Sequence, residues 1–434
     1  MVHITGAGLA GCECAFALAK QGVSVRLYEM KPLRYSPAHK SENFAELVCS
    51  NSFKAERLAS ASGMLKEEMR LMASLVLDCA EETRVPAGGA LAVDREKFAA
   101  LVTERIKTCK NIEIIRGEVL SLEKLPEKDK IVIATGPLTS QALSEELKKL
   151  CGGLLSFHDA AAPIVSFESI NMDKAFFAAR YGRGGADYIN CPFDKDEYIN
   201  FLSALKEAET AELHEFEREN FRVYEGCMPI ETLAKRGEDA IRFGPLRPVG
   251  LTDPRTGRRP YAVAQLRKEN ERGHMYNIVG FQTNLKFGEQ KRVFSMIPGL
   301  ENTEFLRYGV MHRNIFINSP QVLNRDLSLK ARPNVYFAGQ ICGVEGYMES
   351  AVCGLVAGLN ISGKFAGNPP EETMTGALLA YINDSSVKDF QPMGANMGLL
   401  PPLEKAVKGR QPRYQALAER GIAALSEYLK PQGR

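Results

Sequence analysis

The order of apolar and polar segments at the start of the chain predicts a strand, a glycine-rich turn, a helix and a second strand. The first strand precedes the turn, the helix covers about 12–21, and the second strand covers 23–29. Two later apolar runs, 130–137 and 334–340, are also typical of strands, and a helix at about 348–361 follows the second run. These segments predict an α/β fold that contains a Rossmann-like domain.

The turn carries the glycine spacing of a dinucleotide-binding loop. Gly6 permits a tight turn, Gly8 lets the backbone approach a pyrophosphate, and Gly11 lets the helix pack on the sheet. The helix N-terminus offers unpaired N–H groups and a positive dipole end to phosphates. Glu29 follows 21 residues after Gly8, where a carboxylate binds ribose hydroxyls. The residues predicted here to bind the cofactor are Gly6, Ala7, Gly8, Leu9, Ala10, Gly11, Glu29, Met30 and Lys31.

The strands at 130–137 and 334–340 indicate which dinucleotide to expect. The first ends in Ala-Thr-Gly136 and the second in Ala-Gly339-Gln340. This arrangement resembles the flavoproteins with two dinucleotide-binding domains, in which the last strand and helix return to meet the flavin. Those proteins usually carry Asp where this chain has Gln340, and the chain has no second GxGxxG. The resemblance implies FAD as the resident cofactor, with NAD(P)H binding only transiently.

The FAD-binding domain is therefore expected to be discontinuous. Its first part is predicted to span 1–155, and its second part, with the C-terminal helices, 306–434. Between them, 156–305 is predicted to be an inserted α+β domain that binds the substrate. This insertion combines short apolar runs, such as 163–167, with a polar helix near 196–224.

Composition and cysteine spacing restrict the class of protein. Hydrophobic residues make up 45% and charged residues 25% of the 434 residues, and no apolar run is long enough to span a membrane. The first strand leads directly into the glycine turn, which leaves no room for a signal peptide. The ten cysteines are scattered without a CxxC, and none of the six histidines pairs with a cysteine at ligand spacing. We therefore expect a cytoplasmic protein with free thiols, no metal, and no membrane or obligate protein partner.

Positive charge is concentrated in the insertion, although the net charge of the chain is only +2. Between Arg242 and Arg272, eight basic residues face three acidic ones, and a second basic run at 405–413 contains no acid. Such clusters can contact phosphate backbones, but a solvated loop face explains either cluster equally well. The candidate RNA contacts are Arg242, Arg247, Arg255, Arg258 and Arg259.

Two cysteines lie in segments typical of exposed turns. Cys49 ends an apolar run and is followed by Ser-Asn-Ser, and Cys227 lies between Gly226 and Pro229. A thiol in such a turn can reach a cofactor or substrate, although a buried structural thiol fits the spacing as well.

Several long motifs occur together and in a fixed order. These motifs are 6–11, 29–32, 36–39, 44–52, 84–95, 224–231, 311–314 and 337–350. In them the chain resembles the bacterial folate- and FAD-dependent tRNA (uracil-5-)-methyltransferases, from residue 1 to about 365. The glycine turn and the Ala-Gly-Gln strand are also similar to those of the GidA flavoproteins, which modify wobble uridines. The GidA flavoproteins are longer and carry a C-terminal helical domain for which this chain has no room.

The resemblance implies C5-methylation of a uracil in tRNA, at uridine 54 of the T-loop. The carbon comes from 5,10-methylenetetrahydrofolate by way of FAD, and NAD(P)H supplies the reducing equivalents. Cys227 adds as a thiolate to uracil C6, because C5 is a poor nucleophile until C6 is attacked, and Cys49 is the candidate base or a second thiol. Tyr347 would lie against the flavin, and His312 would stack on the pterin or transfer a proton. Further predicted cofactor-binding residues are Gly343, Gly346 and Met348.

Three other functions stay open at the level of sequence. They are the same chemistry on ribosomal RNA, oxidation or reduction of a small molecule by a flavin, and non-catalytic binding of FAD and RNA. The two cysteines in exposed turns argue against the last two, since neither function needs them.

Overall fold

The computed structural model describes residues 1–182, 185–211, 228–365 and 367–430. Its strands are β1 Val2–Thr5, β2 Val25–Glu29, β3 Ser52–Ala55, β4 Arg84–Val85, β5 Ala90–Val93, β6 Ile112–Arg116, β7 Lys130–Ile133, β8 Leu155–Ala160, β9 Ile164–Ser166, β10 Phe176–Ala178, β11 Tyr188–Phe193, β12 Ala262–Lys268, β13 Met275–Ile278, β14 Phe305–Arg307, β15 Met311–Phe316, β16 Ser328–Leu329 and β17 Arg332–Phe337. Its α-helices are α1 Leu9–Lys20, α2 Ala61–Leu71, α3 Leu75–Glu82, α4 Arg95–Lys107, α5 Gln141–Leu150, α6 Lys195–Glu207, α7 Ile230–Ala234, α8 Phe287–Phe294, α9 Ser319–Val322, α10 Tyr347–Ile361, α11 Met374–Asn383 and α12 Arg410–Tyr428.

A largely parallel sheet contains both ends of the predicted cofactor domain. Strands β17, β7, β1, β2 and β6 lie side by side in this order and run parallel, and β16 pairs antiparallel with β17. Strand β1 is paired on both sides, and all four of its residues are buried, as expected for the centre of a parallel sheet. This strand order confirms the predicted Rossmann-like α/β fold, in which residues from the start and the end of the chain share one sheet.

Helices α1 and α10 pack closely against each other because small residues line their contact. A Cβ on Gly354 would lie 2.1 Å from the backbone oxygen of Ala10, so only glycine allows this approach. Almost every residue of α10 is buried, which explains why the segment is apolar all round. The predicted helix at about 348–361 is confirmed.

A second, antiparallel sheet forms the body of the insertion. Its strand order is β10-β11-β12-β13-β9-β14, and helix α6 buries Tyr198, Phe201 and Leu205 in the core beside it. Helix α6 covers the start of the polar helix predicted near 196–224, and the part of that prediction from 212 onward lies outside the described residues. The insertion is therefore α+β, as predicted.

The chain enters the insertion after β8 and leaves it before β15, and these two strands are neighbours. Strand β8 pairs antiparallel with β15, and this register places His312 opposite Asp159. Strand β14 belongs to the insertion sheet and extends to Arg307, two residues past the predicted boundary at 305. The exact domain boundaries stay a prediction.

The C-terminal helices cover the parallel domain rather than the insertion. Helices α11 and α12 both contact α2, and the buried Glu68 carboxylate of α2 accepts hydrogen bonds from the backbone N–H groups of Met374 and Thr375 at the start of α11. No helix in the described ranges has the combination of length and apolar surface that a membrane crossing requires.

Candidate active site

A deep cleft opens at the carboxyl ends of β1, β2, β7 and β17. Its cavity volume is about 170 Å³. The cleft lies where ligands bind in open α/β sheets, outside the carboxyl ends of the strands. The residues predicted to bind the cofactor that line it are Gly6, Ala7, Gly8, Leu9, Ala10, Glu29, Met30, Lys31, Gly136, Gly339, Gln340 and Tyr347.

The glycine turn presents backbone to this cleft. Gly6 has a φ of +94°, and a Cβ there would lie 2.7 Å from the backbone oxygen of Ala134, so the turn requires glycine. A Cβ on Gly8, by contrast, would meet no atom within 4 Å and would project into open space in front of α1. Gly8 is the N-cap of α1 and makes no side-chain cap hydrogen bond, so the first N–H groups of the helix face the cleft.

Glu29 is fixed at the end of β2 by backbone donors. Its two carboxylate oxygens accept hydrogen bonds from the N–H groups of Ala7 and Lys31, each at 3.0 Å. A carboxylate offers about four lone-pair sites, so two remain for ribose hydroxyls. The Lys31 side chain already has partners within the protein. Its Nζ donates to the backbone oxygen of Asn43 and lies 3.6 Å from Glu46, so it is not available to a phosphate.

Four predicted cofactor-binding residues do not line the cleft. A Cβ on Gly11 would lie 1.9 Å from the backbone oxygen of Gly6, so Gly11 serves helix packing. Gly343 packs against the ring of Phe390, and Met348 is buried inside α10. Gly346 is the N-cap of α10, and a Cβ there would meet the Glu349 carboxylate. These positions shape the turn before α10, and a direct role for them at the cofactor stays a prediction.

The donor set of the cleft fits FAD. The bare helix N-terminus and the open space in front of Gly8 suit a pyrophosphate, and Glu29 suits a ribose. Gln340, which stands where related flavoproteins usually have Asp, lines the cleft and donates from Nε2 to Glu345 Oε2 at 2.6 Å. Gln340 therefore connects the cleft to a buried carboxyl group instead of presenting a charge of its own.

Cys49 lies at the border of this cleft, in contact with Tyr347. The Tyr347 oxygen accepts hydrogen bonds from the backbone N–H groups of Cys49 at 2.9 Å and Ser50 at 3.2 Å, and it lies 2.9 Å from Cys49 Sγ. The two N–H groups occupy the lone pairs of the hydroxyl, so its proton is directed at the sulfur. Burial, reinforced by the nearby Asp159 carboxylate, raises the pKa of Cys49 to about 12, so the sulfur is a thiol at neutral pH.

Three arginines hold the turn that carries Cys49. Arg267 donates to Asn51 Oδ1 at 3.0 Å and to Ser50 Oγ at 2.8 Å. Arg307 donates to the backbone oxygen of Val48 at 2.8 Å. In addition, Arg95 donates to the backbone oxygen of Leu47 at 2.8 Å and pairs with Glu269 at 2.7 Å. Arg267 and Arg307 belong to strands of the insertion sheet, so the insertion fixes the position of this thiol.

A group of titratable residues surrounds His312 near the same turn. His312 Nε2 is buried without a hydrogen-bond partner in the described structure. Burial lowers the pKa of His312 below its usual value, against the effect of Asp159 opposite it, so the imidazole is neutral at pH 7. His39 lines the cleft, and burial likewise lowers its pKa. Burial and Asp159 raise the pKa of Glu345 to about 8. The group can therefore exchange protons near neutral pH.

The arginines predicted to contact RNA differ in their environment. Arg255 pairs with Asp253 at 2.7 Å and also donates to the backbone oxygen of Asp173. Arg242 donates to the backbone oxygen of Tyr261 and lies 3.9 Å from the centre of that ring. These two side chains thus stabilise the insertion. The side chains of Arg247, Arg258 and Arg259 are exposed, and they remain candidates for contact with phosphate.

Sequence reasoning singled out Cys49, Tyr347 and His312 but missed the residues that position them. Cys227 lies outside the described residues, so its proposed role stays a prediction. The missed residues are Arg95, Asp159, Arg267, Arg307 and Glu345. One signal in the sequence marks Arg267, because it is a charged residue in a strand that begins with the apolar run 262–264, and a buried charge requires partners.

Comparisons with known proteins identify the family of this chain. The family described as Glucose inhibited division protein A matches residues 1–369. Chains from Acetivibrio thermocellus and Heliobacterium modesticaldum, both named methylenetetrahydrofolate--tRNA-(uracil-5-)-methyltransferase TrmFO, are 57% and 55% identical to this chain. Each comparison covers 99% of this chain and 98% of the relative.

A solved structure of Aquifex aeolicus GidA has the same fold. Its TM-score is 0.69 at 14% identity, and the match covers 98% of this chain and 73% of that one. At this identity the likeness concerns the fold alone, whereas the identity to the TrmFO chains extends over the whole sequence. The chain therefore belongs to the TrmFO family, within the wider family of glucose inhibited division protein A.

Proposed function

We propose that this protein methylates C5 of a uracil in the T-loop of tRNA, with carbon from 5,10-methylenetetrahydrofolate and reducing equivalents from NAD(P)H. The observation that carries the proposal is the Cys49–Tyr347 pair at the border of a cleft that fits FAD. A small-molecule oxidoreductase or a non-catalytic binding protein has no need of a thiol at this place. The names of the TrmFO relatives also support the proposal.

When bound, FAD supplies electrons and carries the one-carbon unit between the folate and the uracil. The side chains of this protein then have to activate the uracil and move one proton. C5 becomes nucleophilic only when a thiolate has added to C6, and the C5 proton must leave after the new carbon–carbon bond forms. Two sulfur atoms in two roles satisfy these requirements.

We assign addition at C6 to Cys227 and proton transfer at C5 to Cys49. The sequence Gly-Cys-Met-Pro around Cys227 is typical of a loop, and Cys227 itself lies outside the described residues, which resume at Met228. Cys49 is a thiol at neutral pH because burial raises its pKa. To accept the C5 proton it must first pass its own proton to a nearby carboxylate, and Asp159 and Glu345 lie within electrostatic range of Sγ. The hydroxyl proton of Tyr347 stabilises the resulting thiolate. Arg95 also favours the thiolate through its charge.

His312 is proposed to bind the pterin ring of the folate. Its imidazole is neutral at pH 7, since burial lowers its pKa, and a neutral ring loses little hydration when it stacks on another ring. Its Nε2 has no hydrogen-bond partner in the described structure, so it is free to bond to a ligand. The location of tRNA supports a cytoplasmic protein, and the domain ranges 1–155, 156–305 and 306–434 remain part of the proposal.

The test combines purified protein, labelled methylenetetrahydrofolate, NADPH and an unmodified tRNA transcript. We expect flavin absorbance from the protein as isolated and labelled 5-methyluridine in the T-loop. A transcript with cytidine in place of the target uridine serves as the control. Label in a ribosomal RNA transcript but not in tRNA would instead favour the same chemistry on ribosomal RNA.

Three cysteine variants test the assignment of roles. Cys227→Ala should abolish the product and leave FAD bound, and Cys49→Ala should reduce the product at least a hundredfold. Cys109→Ala, at a partly exposed thiol away from the cleft, is the matched control and should retain full activity. Full activity of Cys227→Ala would contradict the assigned role in adding to C6.

A further inference from the structure

A group of basic residues at the start of α12 takes no part in the cleft. Lys405, Lys408, Arg410 and Arg413 lie within nine residues of sequence, and no acidic residue occurs from 405 to 418. All four residues are exposed. These four residues are called the C-terminal basic surface below.

The cations of this surface have no acidic partner. Among the residues that the structure describes, no carboxylate oxygen lies within 4.0 Å of any of the four. Other exposed lysines of the chain, Lys97, Lys174 and Lys430, each pair with a glutamate. Positive charge that the protein does not neutralise favours an anionic partner.

The four cations are also close together in space. The guanidinium carbons of Arg410 and Arg413 lie 5.3 Å and 5.5 Å from the centre of the Tyr414 ring. Lys405 lines the same groove as Arg413 and Tyr414. A cation–π contact orients a guanidinium group without neutralising its charge. The charge is therefore concentrated at one end of α12.

The backbone that carries this surface is fixed to the body of the protein. Arg420 of α12 donates to the backbone oxygens of Pro401 at 2.6 Å and Pro402 at 2.8 Å. Leu400 and Leu417 are buried on either side of the surface in the sequence. The backbone therefore needs no folding when a partner binds, which reduces the entropic cost of association.

The segment before α12 connects the C-terminal basic surface to the active site. The N–H of Glu345 donates to the backbone oxygen of Met393 at 2.9 Å, and the N–H of Ala395 donates to Glu349 Oε1 at 3.1 Å. The ten residues from Ala395 to Lys405 span at most about 36 Å. A nucleic-acid duplex of about eleven base pairs covers that distance, at about 3.4 Å per pair. The surface therefore lies within reach of a stem whose loop occupies the site.

The chemistry of the surface suits phosphates and not bases. In the described stretch from 397 to 417, no large apolar or aromatic side chain is exposed. Unpaired bases bind by stacking on aromatic rings, whereas Lys and Arg bind the phosphate backbone without regard to sequence. The surface thus has the groups that a duplex stem requires.

We propose that the C-terminal basic surface binds phosphates of the duplex stem next to the target loop of the substrate tRNA. The inference rests on tRNA being the substrate, as proposed above. It adds a second RNA-binding surface to the exposed arginines of the insertion, on the domain that also binds the cofactor.

The salt dependence of tRNA binding tests this contact. Lys405→Gln/Lys408→Gln should reduce the slope of log K against log salt by about 1.4–1.8, since each phosphate contact contributes about 0.7–0.9. It should raise the Kd and KM for unmodified tRNA about fivefold. Its kcat at saturating tRNA should stay within about twofold of wild type, because neither lysine lines the cleft. Lys405→Arg/Lys408→Arg keeps both charges and should bind as the wild type does.

A matched control lies at the other end of the parallel sheet. Lys107 and Lys110 are exposed and have the same spacing in the sequence. They precede β6, so they lie at the amino ends of the parallel strands, opposite the cleft. Lys107→Gln/Lys110→Gln should keep the wild-type Kd and salt slope.

Phosphate-ethylation interference on unmodified tRNA shows where the contact lies. Ethyl groups on stem phosphates should weaken binding to the wild type and have no effect on Lys405→Gln/Lys408→Gln. Ethyl groups on loop phosphates should weaken binding to both proteins equally.

The outcomes separate this inference from the proposed function. Methylation of tRNA by the wild type, with equal Kd and salt slope for the two glutamine variants, would overturn the stem contact and leave the proposed function intact. An identical interference pattern for the wild type and Lys405→Gln/Lys408→Gln would also contradict the inference. Failure of the wild type to bind or methylate tRNA would overturn both.

Discussion

At the scale of single residues, the site depends on the hydrogen bonds of the Tyr347 hydroxyl. Tyr347 accepts two backbone N–H groups and directs its proton to Cys49 Sγ. Burial raises the pKa of Tyr347, so the hydroxyl keeps this proton at working pH. The hydroxyl therefore fixes the turn and stabilises a thiolate at once.

Tyr347→Phe should consequently lower kcat at least tenfold without loss of FAD. It leaves two N–H groups unpaired, at a cost of about 1–3 kcal/mol, and it removes the hydrogen bond that favours the thiolate. We expect Cys49 to be alkylated by iodoacetamide more slowly than in the wild type at pH 9. Faster alkylation would indicate that the hydroxyl only holds the turn closed. Tyr381→Phe, which removes a hydroxyl bonded to Gln391, is the control.

Arg267 is expected to act as a positioning residue for Cys49. Arg267→Lys keeps the charge but cannot reach both Ser50 and Asn51, so kcat should fall about tenfold while the KM for tRNA stays within twofold. A rise in KM with unchanged kcat would show instead that Arg267 contacts RNA. Lys268→Met, the next residue on the same strand, should retain wild-type kcat.

At the scale of secondary-structure elements, the cofactor cleft depends on the close approach of α1 and α10. The strand and glycine turn before α1, and the strand and turn before α10, both supply residues that line the cleft. Their spacing is set where Gly354 meets the backbone of α1.

Gly354→Ala should therefore destabilise the protein by about 1–3 kcal/mol and reduce the FAD content of the purified protein, because the new methyl group overlaps the Ala10 oxygen. Gly288→Ala is a matched control in helix α8, where a Cβ meets nothing within 4 Å. That variant should be neutral or slightly more stable, since alanine favours a helix. Urea unfolding and flavin absorbance measure both effects.

A buried carboxyl group of α1, which accepts hydrogen bonds from the start of α3, should make stability depend on pH. Glu13 accepts hydrogen bonds from the Ser74 hydroxyl and from the N–H groups of Leu75 and Val76, yet burial raises its pKa from 4.5 to about 7. The folded state then holds this proton more tightly than the unfolded state does. Its contribution to the free energy of unfolding is complete below pH 4.5 and is lost as the pH rises through 7, by about 3 kcal/mol.

Urea unfolding of the wild type and Glu13→Gln at pH 5 and pH 8 measures this contribution. The wild type should lose more stability between the two pH values than Glu13→Gln does, because glutamine does not titrate. An equal change in both proteins would show that Glu13 is ionised in the folded state throughout this range.

At the scale of the whole molecule, the basic insertion divides into structural and exposed arginines. Replacement of both Arg258 and Arg259 by Gln should weaken tRNA binding and reduce the slope of log K against log salt by about 1.4–1.8, since each phosphate contact contributes about 0.7–0.9. Replacement of both Arg242 and Arg255 by Gln should mainly lower Tm, because these side chains bind Tyr261, Asp253 and the Asp173 backbone. Equal salt slopes for the two double variants would contradict this division.

The sequence predicted the glycine turn, the returning strand and Gln340 because each is a local pattern with a fixed spacing. It also indicated Cys49 as a thiol in a turn. It did not indicate that Arg267 and Arg307 reach this turn, since their contacts join residues more than 200 positions apart. The left-handed backbone conformation of Tyr181 was likewise not predictable, because glycine and asparagine are the residues that usually adopt it.

The arginine contacts to the Cys49 turn limit how this enzyme can be engineered. A chimera that keeps the glycine turn but receives a foreign insertion would still bind the cofactor, yet its sulfur would no longer be held in place. Transfer of uracil methylation to another scaffold therefore requires that both halves be transplanted together with the guanidinium contacts between them.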